Sequence, residues 1–205
     1  RAVPSGALSF EELGLGPSIA ELAECRRGLV MVTGATGSGK STTLAAMVHH
    51  TNKTRRVHVV TVEDPIEYLH VDDLARVTQR EVGADTASYQ QALRHVVRQS
   101  PDVILVGEMR DVESIQVALA AALTGHLVLT TLHTIDATQT VQRILNYFPE
   151  HLRAQVSLDL AQCLQGIVCQ RLIPQADGDG RVVAAEVMHC TPPVARLLRD
   201  LRIDD

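Results

Sequence analysis

The chain has no tryptophan, and only three tyrosines and two phenylalanines among its 205 residues. So few rings leave little on which to stack bases, which argues against single-stranded nucleic-acid binding. A basic excess is also missing: 19 Lys and Arg stand against 24 Asp and Glu, a formal net charge of −5. Dedicated DNA- or RNA-binding domains usually show the opposite balance, so no nucleic-acid partner is expected. Long apolar runs are absent too. The longest, Val117 to Leu123, has seven residues, far short of the ~20 that span a bilayer. Arg1 to Gly16 lacks the apolar core of a signal peptide, so no direct membrane insertion is expected. The cysteines Cys25, Cys163, Cys169 and Cys190 contain no C-x-x-C pair, which excludes a zinc knuckle and a thioredoxin-like motif. Cys163 and Cys169 lie in apolar segments and read as buried free thiols, in keeping with a reducing cytoplasm.

Hydrophobic residues make up 45% and charged residues 21%, the composition of one folded domain. Arg1-Ala2-Val3-Pro4, without an initiator Met, reads as a cut into a longer polypeptide. Short apolar runs alternate with longer amphipathic ones. Strands are expected at Leu29 to Val32, Val57 to Val62, Val103 to Val106 and Leu127 to Thr131. Helices are expected at Thr42 to His49, Ser88 to Gln99 with Ser88 as cap, Val112 to Leu123, Ala137 to Tyr147 and Leu152 to Leu164. Ile167 to Ile173 and Val182 to Val187 look like a closing strand pair joined by Asp177-Gly178-Asp179-Gly180. Such alternation builds a mostly parallel sheet with helices on both faces, a three-layer α/β fold.

The strongest local signal is Gly34-Ala35-Thr36-Gly37-Ser38-Gly39-Lys40-Ser41, a G-x-x-x-x-G-K-[ST] loop between a strand and a helix. Its glycines let successive N–H groups point inward, and the helix start adds partial positive charge. Gly34, Thr36, Gly37, Ser38, Gly39, Lys40, Ser41 and Thr42 are therefore the expected nucleotide-binding residues. Lys40 should reach the β- and γ-phosphates, and Ser41 should ligate Mg2+. A GTPase reading lacks its N-K-x-D guanine reader, because Asn52-Lys53 runs into Thr54-Arg55. No Arg-rich lid of a nucleotide kinase is evident.

Chemistry in such sheets gathers at the carboxyl ends of strands. Two strands end in acid there, one in Glu63-Asp64 and one in Gly107-Glu108. Glu108, immediately past its strand, is the expected residue for orienting the attacking water. Glu63 or Asp64 would hold the metal through its waters. His126 and His133 flank the fourth strand. Seven residues at ~3.3 Å each set them roughly 23 Å apart on opposite faces, so they cannot share a metal. One is expected to sense the γ-phosphate and the other to sit at a subunit contact. Arg110 is expected to pack beneath the site.

Four blocks recur in order: Gly34 to Ser41, Glu63-Asp64-Pro65-Ile66-Glu67, Gly107-Glu108-Met109-Arg110-Asp111, and Thr124-Gly125-His126 through Thr131-Leu132-His133-Thr134. They resemble the Walker A, Asp box, Walker B and His box of the secretion ATPase superfamily, and most of all the type IV pilus retraction ATPases. Gln79-Arg80-Glu81-Val82-Gly83 is similar to that family as well. The resemblance implies a RecA-like P-loop core at residues 17–205, after a linker at 1–16 from a small PAS-like domain. It further implies a hexameric ATPase that takes ATP and Mg2+ and works on an inner-membrane pilus platform protein at the cytoplasmic face. Glu108 would be its catalytic glutamate. Glu63, His126 and His133 would line the nucleotide site, and Arg80, Arg143 or Arg181 would complete a neighbour's.

The tetracysteine motif usual in assembly and type II secretion ATPases is not inserted after Cys169-Gln170-Arg171-Leu172, which favours the retraction branch. After Thr191-Pro192, however, Ala195 and Arg196 depart from the A-I-R-N-L-I-R-E signature of retraction ATPases. An accessory or assembly ATPase, and a nucleotide-binding regulatory module, remain as alternatives.

Overall fold

A computed structural model describes residues 6–176, 178 and 180–204. Residues 1–5 of the expected linker, Asp177 and Asp179 of the expected turn, and Asp205 lie outside the described residues. The strands are β1 (Gly28–Thr33), β2 (His58–Glu63), β3 (Arg76–Glu81), β4 (Val103–Val106), β5 (Leu127–Leu132), β6 (Leu164–Pro174) and β7 (Arg181–His189). They form one seven-stranded sheet in the order β3-β2-β4-β5-β1-β6-β7. Every pairing is parallel except β6 with β7.

The helices are α1 (Pro17–Glu24), α2 (Lys40–Thr54), α3 (Tyr89–Val96), α4 (Val112–Leu123), α5 (Ala137–Asn146), α6 (Glu150–Cys163) and α7 (Pro192–Arg199). Strands covered on both faces are mostly apolar, and β1, β4 and β5 are buried along their whole length, threonines included. The two-residue period of a strand then divides its side chains between two cores. Val103 and Leu105 join the cluster beneath α1 and α2, whereas Ile104 and Val106 join the cluster beneath α3 to α7. This is the RecA-like α/β architecture expected from the sequence.

Three elements differ from expectation. β3 lies at the sheet edge, where Arg76, Gln79 and Arg80 are tolerated because such a strand is only half covered. α1 packs Ile19, Leu22 and Ala23 into the core. The segment expected to be a linker is likewise docked: Phe10 and Leu15 are buried, and the Phe10 ring lies 5.1 Å from that of His50. The helix expected over Ser88 to Gln99 stops at Val96 and ends in a 3-10 turn, Val97–Gln99. Its cap is as expected, with Ser88 Oγ accepting from the Gln91 amide at 3.1 Å. All four cysteines are free thiols, and burial pushes Cys163 up to about 12.

α1 reaches the sheet at Gly166 of β6. A Cβ there would lie 2.6 Å from the Met188 carbonyl oxygen and 2.7 Å from Leu22 Cδ2. Gly166→Ala should therefore force backbone or helix to shift and cost about 1–3 kcal/mol. Urea unfolding measures this, and an unchanged midpoint would show that α1 does not press on β6.

Candidate active site

Because β2, β4, β5 and β1 run parallel, their carboxyl ends share one edge of the sheet. β5 lies between β4 and β1, so the residues that follow it stand between Glu108 and the phosphate loop. Thr131 Oγ donates to the Gly107 carbonyl at 2.6 Å and ties the ends of β5 and β4 together. A cleft of about 230 Å³ opens there, lined by Lys40, Ser41, Glu63, Glu108 and His133 among others.

The loop after β1 closes onto α2 through Gly39, whose φ of 89° is left-handed and so favours glycine. Thr36, Gly37, Lys40 and Ser41 face the cleft. Gly34, Ser38 and Gly39 shape the loop from behind, with the Ser38 hydroxyl buried and unpartnered. Thr42 turns to the side, its hydroxyl 3.0 Å from that of Tyr68. Lys40 Nζ donates to the carbonyls of Gly34 at 3.0 Å and Ala35 at 2.9 Å. Burial lowers its pKa, against the charges of Glu108 and Glu67, which raise it.

His133 bridges the two sides of the site. Its Nδ1 is 3.5 Å from Lys40 Nζ, and its Nε2 is 3.3 Å from Glu108 Oε1. The tautomer with hydrogen on Nε2 satisfies both contacts. Arg110 Nε donates to the other oxygen, Oε2 of Glu108, at 2.7 Å. Arg110 does not pack beneath the site as expected: its side chain is 57% exposed and lies at the mouth of the cleft, 3.9 Å from Asp64 Oδ2. The long guanidinium arm finds its carboxylate partners on the solvent side of β4, not under it.

Glu63 is held differently. Thr61 Oγ and Gln79 Nε2 both donate to its Oε1, at 2.6 and 3.2 Å. Burial nevertheless dominates and raises its pKa. His126 is not brought to the cleft within this chain. It precedes β5 at the opposite edge of the sheet, where its Nδ1 is 3.0 Å from the Ala121 carbonyl and its own carbonyl accepts from the Gly28 amide. Arg80, Arg143 and Arg181 do not line the cleft either.

Two cleft residues, and one behind the phosphate loop, carried no expected role. Glu67 lines the cleft and acts electrostatically on Lys40 and Glu63. The Tyr89 phenol is pushed up to about 12, first by burial, and so remains a donor. Gln170, 1% exposed on β6, donates from Nε2 to the Ser38 carbonyl at 2.7 Å. Among the described residues no group of three or more His, Cys, Asp or Glu could hold a metal ion. A divalent ion at Ser41 and Asp64 would thus need phosphate oxygens and water as further ligands, the usual habit of Mg2+.

A family model described as type II/IV secretion system protein matches residues 5–198. The chain belongs to this family. It is 48% identical over 203 residues to the type IV pilus retraction ATPase PilT of Pseudomonas aeruginosa, covering 99% of the chain and 59% of that protein. The type IV pilus ATPase PilU of the same organism is 47% identical, covering 97% of the chain and 52% of that protein. A crystal structure of the pilus retraction motor PilT with bound ADP superimposes with a TM-score of 0.96 at 46% identity, over all of this chain and 59% of that one. The chain thus spans little more than half the length of these relatives.

Within this family member the raised pKa of Glu63 has a definite sign. Its ionised form is penalised in the folded state, so the carboxylate lowers stability above the folded pKa, and the penalty vanishes below 4.5. Glu63→Gln, which can still accept from Thr61 and Gln79, should stabilise the protein at pH 7–8. The gain should shrink as pH falls through the folded pKa. Urea unfolding across pH tests this, and a gain that grew on acidification would reverse the assignment.

Proposed function

We propose that the chain is the ATP-hydrolysing motor domain of a hexameric type IV pilus retraction ATPase. The observation that supports this reading is the line Lys40–His133–Glu108, which joins the phosphate loop to a carboxylate that would activate water. The loop's N–H groups and Lys40 would hold the β- and γ-phosphates, with Lys40 exchanging the Gly34 and Ala35 carbonyls for phosphate oxygens. Ser41, and Asp64 through water, would hold Mg2+, which supplies charge neutralisation. Glu108 would take the proton of the attacking water. Both of its oxygens are engaged, one by His133 and one by Arg110. Each carboxylate oxygen has a second lone pair, so Glu108 can accept a water proton while His133 and Arg110 hold its orientation. His133, touching both Lys40 and Glu108, would report the γ-phosphate to the base.

The PilT structure with bound ADP supports nucleotide as the ligand. Among the described residues no helix is long and apolar enough to cross a membrane, which suits a peripheral subunit at the cytoplasmic face, driven against an inner-membrane platform protein. An accessory ATPase is the second reading. It is favoured by Ala195 and Arg196, where the retraction signature differs.

Two experiments test the proposal. Glu108→Gln should keep ATP affinity by calorimetry while turnover falls about 10²–10⁴-fold, and Lys40→Ala should lose most of the binding. Normal hydrolysis by Glu108→Gln would remove Glu108 from the chemistry. Phosphoryl transfer gains about 10³–10⁵ from an arginine at the γ-phosphate, and Arg110 is the only described arginine at this cleft. ATPase activity per protomer should therefore rise with protein concentration as rings form, followed by sedimentation. A monomer that was already fully active would overturn the ring.

A further inference from the structure

We infer that Gln170 is a positioning residue for phosphate binding: from behind the loop it fixes the orientation of the Ser38–Gly39 peptide. The inference rests on the proposed nucleotide site and adds a residue that never touches the ligand. Gln170 lies on β6, next to β1, and is buried. Its Nε2 donates to the Ser38 carbonyl at 2.7 Å. In a planar trans peptide the C=O and the following N–H point in opposite directions. A hydrogen bond that draws the Ser38 oxygen back toward β6 therefore turns the Gly39 N–H forward. Inward-pointing N–H groups are what such a loop offers an anion.

The fit around Gln170 is close on both sides. A Cβ on Gly39 would lie 3.1 Å from Gln170 Nε2, and a Cβ on Gly34 would collide with the Gln170 backbone carbonyl. Both glycines that bound the motif thus pack on the same residue, one against its side chain and one against its main chain. The amide is also costly to keep: its Oε1 is buried without a partner. An apolar side chain would avoid that penalty, so the contact to Ser38 is the one gain the structure offers for an amide here.

The test measures ADP binding by calorimetry on the whole chain, with circular dichroism to confirm folding. Gln170→Met fills a similar volume and cannot donate; it should weaken ADP binding about tenfold or more. Gln170→Glu presents a carboxylate to the Ser38 carbonyl at high pH and a donating carboxyl when protonated. Its affinity relative to wild type should recover as pH falls from 8 to 5.5 and should there exceed that of Gln170→Met. Should Gln170→Met fail to fold, the pH series on Gln170→Glu decides alone. Wild-type affinity in Gln170→Met, or a Gln170→Glu deficit that stays constant with pH, overturns the inference. Failure of the wild-type chain to bind ADP would instead defeat the proposed function, so the two failures are distinct.

Discussion

Parallel alignment of four strands is the constraint on which the cleft depends. A parallel strand delivers its last residue to the same edge as its neighbours, so the chain can bring residues 40, 63, 108 and 133 together without any of them being close in sequence. Strand order then assigns neighbours. With β5 interposed between β1 and β4, His133 is the side chain that can touch both Lys40 and Glu108. The same alignment sends His126, seven residues earlier, to the far edge.

The cleft's charge explains why these contacts form. Glu63, Asp64, Glu67 and Glu108 face it with Lys40 and Arg110, four formal negatives against two positives. Burial lowers the pKa of Lys40, and the charges of Glu108 and Glu67 oppose that shift. Glu63 has hydrogen bonds from Thr61 and Gln79 but, among the described residues, no cation in contact, and burial wins there. Two carboxyls on adjacent strands thus have different partners. Glu108 is paired with His133 and Arg110, whereas Glu63 is held by neutral donors and its pKa is raised by burial. The sequence shows both as acids after apolar strands and cannot separate them, because the difference lies in what β3 and Arg110 bring alongside.

Central strands are legible because double burial favours runs rich in Val, Ile and Leu, and the phosphate loop because glycine spacing is dictated by backbone geometry. β3 is not, since an edge strand reading Arg-Val-Thr-Gln-Arg-Glu needs no apolar run. α1 left a weaker trace, Pro17 at its first turn, which is a common helix opener. Arg110 lies at the mouth of the cleft and not beneath it, because adjacency in sequence says nothing of where a flexible guanidinium points. Gln170 did leave a signal: an amide directly after the apolar run Ile167-Val168-Cys169, in the same strand, requires a partner if buried, though not one that could be named.

That partner depends on one irregularity of the sheet. β1 pairs with β6 as Leu29 to Leu164 but then as Val30 to Gly166, so Gln165 is an extra residue in β6. From there the register runs to Thr33 beside Cys169, which brings Gln170 beside Gly34. Without the extra residue the register would continue one position short and set Cys169 beside Gly34. A slip of one residue also exchanges the faces of a strand. Val168 packs beneath α2 and Cys169 beneath the opposite helices, so the alternation places Gln170 on the α2 side, where the loop lies. In the slipped register a thiol, a weak donor on a short side chain, would occupy that position. The bulge is therefore not a defect tolerated at a distance from the site. It selects which side chain of β6 stands behind the phosphate loop, and it does so through main-chain pairing five residues away.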